Sequence, residues 1–420
     1  MPTSSTTTIA APPDAALGAS TDATRVLIAR GLRAFGDGFV ALLVPIYLVE
    51  LGFSPLAVGA IVTSTLIGTA LMTLAIGLIA NRYARRHMLL AAAILMIATG
   101  LGFAVSTAFW PLLLIAFVGT MNPTSGDASI FLPLEQTVLA HTAAPERRTA
   151  VFARYSVVGS VAGAIGVLAA AGPDLAGTAF GMSRLGAIQA MFGAYAILGL
   201  IALWLYRPLS AAIEAPEAAA QPPLGASKRI VYSLAALFGM DSFGTGFLVQ
   251  SLLALWLYQR FQISLSAASA ILFWTGICSA VSYLIAVPIA QRIGLINTMV
   301  FTHLPSNILL ALLPFAPNLW VAVALLLVRS ALSQMDVPTR SSYVMAVVTP
   351  EERPAAASIT QVPKTFAWAA GSLISGYLMT LSTFGWPLVI AGMVKGVYDL
   401  LLLVNFKKVT PPEEVVASAD

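Results

Sequence analysis

Apolar blocks of about twenty residues or more, parted by short polar breaks, recur near 26–50, 55–80, 87–108, 110–139, 150–172, 185–206, 230–258, 266–290, 296–315, 318–347, 355–379 and 384–405. At 1.5 Å per residue such a block crosses about 30 Å of hydrocarbon. Only a helix satisfies its own backbone hydrogen bonds in lipid without closing a sheet, so each block predicts an α-helical span. The expected fold is an all-α membrane protein of twelve transmembrane helices. The polar segments divide it. Residues 1–24, rich in Ser, Thr, Ala and Pro, lack the apolar core and basic cluster of a secretory signal and read as a disordered cytoplasmic tail. The longest break, 207–229, holds Glu214, Pro216, Glu217, Pro222 and Pro223 and separates a six-helix half at 25–206 from another at 230–406, with 407–420 as a second cytoplasmic tail.

The halves repeat one another. Shifted by 210 residues, Ser54–Arg82 matches Ser264–Arg292 at 11 of 29 positions. Phe35-Gly36-Asp37-Gly38-Phe39 pairs with Phe243-Gly244-Thr245-Gly246-Phe247 at a shift of 208, and Pro133 with Pro338 at 205. Six spans separate the copies, an even number, so they run parallel. Two parallel six-span halves about a pseudo-two-fold axis along the membrane normal form a transporter architecture.

Charge gives the orientation. The even-numbered loops and the tails carry 13 basic residues, among them Arg25, Arg82, Arg85, Arg86, Arg147 and Lys407, against Arg184 and Arg260 on the other side. The positive-inside rule puts both termini in the cytoplasm. Trp110, Trp256, Trp274, Trp320 and Trp386 fall near the opposite ends of spans, as an interfacial belt requires. With 58% hydrophobic and 10% charged residues, against about 25% charged in soluble domains, the chain's solvent is lipid and no nucleic-acid partner is indicated. The single cysteine, Cys278, reads as a small buried hydrophobe. Neither a P-loop, nor metal-ligand spacing, nor a nucleophile-base pattern stands out, so an enzyme and a cofactor are not expected.

A charged group within a span costs several kcal/mol unless it faces water or a partner, which makes each one a functional candidate. Span one carries Arg30, Arg33 and Asp37 on one helical face, with Gly36 and Gly38 leaving the backbone open to a ligand or a helix. Span four has the break Asn122-Pro123-Thr124-Ser125-Gly126-Asp127 and then Glu135. Span seven has Asp241, and span ten has Arg329, Asp336 and Arg340 around Pro338. Asp37, Arg33, Asp127, Asp241 and Asp336 are the expected substrate or proton-coupling residues. Static pairs, Arg33 with Asp37 and Asp336 with Arg340, are the structural alternative. Lys364, Lys395, Asp399 and His303 are weaker candidates: a peripheral lysine that snorkels and a satisfied core histidine are the commoner cases. The 205-residue shift sets Glu135 opposite Arg340 and predicts an inner-gate ion pair present in one state of the carrier; the alternative keeps Arg340 with Asp336 and gives Glu135 to Arg82 or Arg86.

Gly77-Leu78-Ile79-Ala80-Asn81-Arg82-Tyr83-Ala84-Arg85-Arg86 follows the second span. It resembles the G-x-L-A-D-R-x-G-R-R signature of the major facilitator superfamily, with Asn81 in place of the aspartate and Ala84 in place of the glycine. The resemblance implies that spans one, four, seven and ten line a central cavity and that Asn81, Arg82, Arg85 and Arg86 belong to the inner gate. Span five has no Gly-Pro pair and span four no mid-helix arginine, so the drug/proton branch is not indicated. The function expected is secondary active transport of a small solute by alternating access, with proton-coupled efflux of an organic compound from a bacterial inner membrane first. Proton-coupled uptake of a polar metabolite and a non-transporting receptor of the same fold are the alternatives. The partners expected are the solute, protons and lipid, with a monomer as the working unit.

Overall fold

The computed structural model describes residues 13–79, 83–121, 129–142, 148–210, 213, 227–348 and 353–407. Every element among them is helical. The first half contains α1 (Pro13–Glu50), α2 (Pro55–Ile79), α3 (Arg85–Val105), α4 (Phe109–Val118), α5 (Phe131–Thr142), α6 (Arg148–Ala169), α7 (Gly172–Phe180) and α8 (Arg184–Tyr206). The second contains α9 (Lys228–Gly246), α10 (Gln250–Phe261), α11 (Leu265–Ile293), α12 (Leu295–Leu312), α13 (Leu319–Ser333), α14 (Asp336–Val347), α15 (Arg353–Leu381) and α16 (Trp386–Phe406).

Among the described residues nine helices are long and apolar enough to cross a membrane. The outward faces fit that solvent: Trp204, Leu284, Met393 and Val404 are exposed, a surface that water would penalise and lipid does not. Trp110, Trp320, Trp274 and Trp386 are exposed as a belt requires, but Trp256 is buried. Its indole tucks against Gly385, whose φ of 105° and missing Cβ leave the room, since a Cβ there would lie 2.6 Å from the indole nitrogen.

Three expected spans are broken. The fourth is the pair α4 and α5, with residues 122–128 outside the described set. In the seventh, α9 ends in a tight turn where the Phe247 N–H reaches the Gly244 carbonyl at 3.2 Å, and α10 starts afresh. In the tenth, α13 stops at Ser333 and α14 begins at Asp336, two residues before Pro338, which cannot donate a helical hydrogen bond. Side chains of α11 take up the groups freed there: the Gln334 N–H donates to the Ser282 hydroxyl at 3.2 Å, and the Tyr283 hydroxyl donates to Gln334 Oε1 at 2.9 Å.

The helix also starts earlier than the sequence suggests, at Pro13 rather than near residue 25. Its first turns are tied to the end of α8, because Asp22 accepts from the Ser210 hydroxyl at 2.5 Å and Arg25 donates to the Pro208 carbonyl at 2.9 Å. The loop expected between spans five and six instead holds α7, closed by Gly181 in the left-handed region at φ 65°.

The sequence repeat reappears as repeated geometry. Helix starts fall 210 residues apart at 55 and 265, 85 and 295, and 109 and 319, then 205 apart at 131 and 336 and at 148 and 353. The glycine contacts recur with them. A Cβ on Gly38 would lie 2.1 Å from the Gly163 carbonyl and one on Gly166 would lie 1.9 Å from the Phe35 carbonyl; the counterparts are Gly246 at 2.2 Å from the Trp368 carbonyl and Gly371 at 2.3 Å from the Phe243 carbonyl. Thus α1 crosses α6 as α9 crosses α15, backbone against backbone, as small residues allow in lipid. Gly36 and Gly38 therefore admit neighbours rather than a ligand: Gly36 gives space to the Tyr195 ring and Gly38 to α6.

The halves meet along α2 with α15, α6 with α11, and α1 with α10. At the first of these seams a Cβ on Gly59 would be 2.8 Å from the Gly376 Cα, and the Thr63 hydroxyl donates to the Ala369 carbonyl at 3.1 Å. Where α1 nears its end, the Ser251 hydroxyl donates to the Ala41 carbonyl at 2.7 Å. Beyond it, Arg184 pairs with Glu50 at 3.0 Å and donates to Tyr258 at 3.2 Å, while Asp174 of α7 accepts from the Ser266 N–H at 3.0 Å.

Candidate functional site

Among the described residues each half buries one cluster of paired charges. In the first half Arg33 of α1, 2% exposed, binds the Glu135 carboxylate of α5, which is fully enclosed. The Tyr206 hydroxyl donates to Glu135 Oε1 at 2.5 Å and the Tyr155 hydroxyl to Oε2 at 2.6 Å. Arg33 Nε donates to the Tyr206 oxygen at 3.1 Å, and its guanidinium lies 3.9 Å over the Phe131 ring. The carboxylate is thus paired and hydrogen-bonded at once, which is what makes a buried ion pair tolerable.

Arg33 does not pair with Asp37, although both lie on one face of α1. Helical side chains tilt toward the N-terminus, so a base four residues before an acid reaches away from it. The opposite order in Asp336 and Arg340 favours contact, and these two form the expected pair. Asp37, 3% exposed, accepts from the Tyr195 hydroxyl at 3.4 Å and has no ion-pair partner among the described residues. Nearby Arg30 lies 5.0 Å over the Tyr155 ring and against Gly159, with Nε and Nη1 unpartnered among the described residues.

In the second half Asp241 of α9 is the hub. Lys395 Nζ of α16 lies 2.6 Å from Oδ1, Arg340 Nη2 of α14 lies 2.9 Å from Oδ2, and His303 Nε2 of α12 lies 3.9 Å from Oδ1. Arg340 also binds Asp336. Behind the hub, His303 Nδ1 is 2.8 Å from Asp399 Oδ1, and Asn307 Nδ2 donates to Asp399 Oδ2 at 2.8 Å. The aliphatic stem of Lys395 runs past Gly244, where a Cβ would sit 2.6 Å from its Cγ.

The expected Glu135–Arg340 pair is not formed in this arrangement: each group is held within its own half, Arg340 by Asp336 and Asp241, and Glu135 by Arg33. Asn81, Arg82 and Asp127 lie outside the described residues. Arg85 ties α3 to the central segment by donating to the Ile213 carbonyl at 2.8 Å, and Arg86 is exposed. A small pocket lined by Val40, Val44, Ile61, Thr65, Met121 and Ser251 begins one turn beyond Asp37 on α1.

The family model described as Major Facilitator Superfamily matches residues 26–248 and 231–420. The chain belongs to this superfamily. An uncharacterized membrane protein of Saccharomyces cerevisiae is 23% identical over 410 residues, which span 89% of this chain and 92% of the relative. Among solved structures, the nucleoside transporter NupG superposes with a TM-score of 0.70 at 16% identity over 92% of this chain and 99% of its own. A D-xylose-proton symporter gives 0.68 at 17% identity over 92% and 98%. This superfamily member is a membrane protein with the transporter fold.

Lys395, Asp399 and His303, weak candidates by sequence, belong to the larger of its two charge clusters. Lys395 is 4% exposed and turned inward, not snorkelling to an interface. Tyr155, Tyr206 and Asn307 were not indicated by sequence at all. A signal existed for the second cluster: His303 with Asn307, and Lys395 with Asp399, are two i,i+4 polar pairs in otherwise apolar helices. For the tyrosines there was none, because an amphipathic ring is equally at home in a core.

Proposed function

We propose that this chain is a secondary active transporter that moves a small polar or charged organic solute by alternating access of its two halves, coupled to protons. Family and fold support transport. The observation that carries the coupling is Asp37, a buried carboxylate on α1 with a lone hydroxyl contact and no ion-pair partner among the described residues. A proton is the countercharge such a group can gain and lose when water reaches it from alternate sides. Arg33, Asp241 and Asp336 are proposed to set the charge beside the solute path, with Asp127 assigned there on sequence grounds and Asn81, Arg82, Arg85 and Arg86 at the inner gate. The basic asymmetry of the loops supports both termini facing the cytoplasm, and a bacterial inner membrane is the proposed location. Export is the expected sense and uptake the alternative.

The test is flux through purified protein in vesicles enclosing a pH dye. The nucleoside transporter and the D-xylose-proton symporter that share the fold put nucleosides and pentoses first in the solute panel, followed by amino acids and organic anions. A solute that moves together with a change of lumenal pH supports the reading, and the sign of that change gives the direction. A solute that moves with no pH change overturns the coupling, and one that binds without moving points to a receptor.

A further inference from the structure

The repeat that relates the halves fails on the side opposite the basic loops. Between α15 and α16 the chain passes through residues 382–385 alone, whereas between their counterparts α6 and α8 it runs through residues 170–183 and forms α7. Helix α6 has 22 residues, about 33 Å at 1.5 Å each, so it uses up the hydrocarbon thickness and α7 starts at the membrane border. There α7 packs on α8 of its own half and leaves Leu175 and Phe180 exposed.

Both ends of this insertion hold the second half. At its start, the Asp174 carboxylate accepts from the Ser266 N–H at 3.0 Å and from the Ser266 hydroxyl at 2.9 Å. Ser266 lies in the first turn of α11, whose own cap, Ser264, takes the Ala267 N–H at 3.1 Å. Asp174 thus satisfies a second free N–H of that helix end and sets negative charge where the helix dipole favours it. Helix α2, the counterpart of α11, has the matching Ser54 cap on Ala57 at 3.3 Å but Leu56 at the position of Ser266. At the far end of the insertion, Arg184 donates to the Tyr258 hydroxyl of α10 at 3.2 Å and lies 5.5 Å over its ring, while Glu50 of α1 holds the same guanidinium at 3.0 Å. Arg184 is one of two bases on a side that the positive-inside rule keeps poor in them, and this contact gives its charge a use.

We infer that residues 170–184 form a strap that fastens the two halves on the side opposite the basic loops, and that it releases α10 and α11 when that side opens. The seam beneath is apolar, with Val62 and Leu66 of α2 packed against Val249 and Ala369 of the second half. Apolar contacts are non-directional and tolerate sliding, whereas the hydrogen bonds of Asp174 and Arg184 are made at one relative position of the halves. The strap travels with α6 and α8, so parting of the halves breaks its two grips and leaves the interior of each half intact. Its contacts therefore belong to one of two states and bias the balance between them. The inference rests on the alternating-access reading and adds to it the element that holds this side shut. Proton coupling has no part in it.

The test uses the full-length protein in nanodiscs with Cys278→Ser, which removes the single native thiol. Val62→Cys then places a reporter thiol at a position 1% exposed in the closed seam. Its alkylation by a maleimide is limited by the population in which the seam is open. Loss of a charge-assisted hydrogen bond should raise that population, and hence the rate, about 10-fold in Asp174→Ala and in Arg184→Gln. Asp174→Asn, which keeps an acceptor oxygen for Ser266, should stay near the parent. Tyr258→Phe deletes one oxygen and replaces Arg184→Gln if that variant does not fold. As a second measure, spin labels at Val105 and Trp320, exposed at the same-side ends of α3 and α13, should show a second, longer distance that grows in the strap variants. Rates and distances equal to the parent's overturn the strap. Faster alkylation without a second distance overturns it too, since that is general loosening. Neither measure needs a solute or a proton gradient, so the two readings fail separately: halves that part on release in a protein without flux keep the strap and end the transport reading, and solute flux with an indifferent strap does the reverse.

Discussion

Arg33 of α1 and Glu135 of α5 bind each other inside the first half, with the hydroxyls of Tyr206 and Tyr155 completing the carboxylate's shell. Breaking one partner of a buried pair strands the other, at a cost of about 3–5 kcal/mol. Glu135→Ala and Arg33→Ala should each lower the unfolding temperature of the solubilised protein. The exchanged pair, Arg33→Glu with Glu135→Arg, should recover part of that loss, and Glu135→Arg with Arg340→Glu should recover none. Recovery by the second combination, read in thermal melts, would restore the gate between the halves.

The Lys395 ammonium and the Asp241 carboxylate are 2.6 Å apart, so their replacements should not be additive. Lys395→Met leaves Asp241 with Arg340 and His303, and Asp241→Asn leaves Lys395 with the Thr245 hydroxyl at 2.8 Å. A double-mutant cycle on stability should give a coupling of about 0.5–3 kcal/mol. A coupling of zero would mean that the two charges act independently.

Asp37→Asn preserves the size of the side chain and its contact with Tyr195 while removing the acid. Exchange of labelled solute across vesicles at equal concentration should survive, and uphill movement driven by a pH gradient should stop. Uphill movement at the parental rate would make Asp37 structural.

Gly376 presses its Cα to Gly59 across the seam between the halves, and a Cβ there would sit 2.7 Å from the Gly59 Cα and 2.8 Å from the Pro55 carbonyl. Both obstacles are backbone and cannot swing aside. Gly376→Leu should part α2 from α15 at about 1–3 kcal/mol or more, seen as a lower melting temperature and reduced cross-linking between cysteines placed along the seam. Unchanged melting would show that these helices shift freely.

Topology reporters fused after residues 224 and 410 should both report cytoplasm, since 13 basic residues lie on that side against 2 on the other. A signal from the far side at either position would invert the orientation.

The sequence by itself determined the all-helical, membrane-spanning character of the fold, because this rests on local chemistry. An apolar block in lipid has one backbone solution, and a glycine that clears a crossing leaves the same mark in both copies, as Gly38 and Gly246 do. It also placed Asp37, Arg33, Glu135, Asp241, Asp336 and Arg340 on particular helical faces. The partner of each charge was decided by the tertiary structure. A face has a direction but no address, so Arg33 could be assigned to Asp37 in its own helix until the tilt of the side chains and the approach of α5 gave it Glu135. Lys395 could be read as a lipid-side lysine until α16 turned it onto Asp241. His303 was an ordinary core histidine until the packing of α9, α12 and α16 set it between two carboxylates, an arrangement of residues up to 158 positions apart, such as Asp241 and Asp399, that no local pattern encodes.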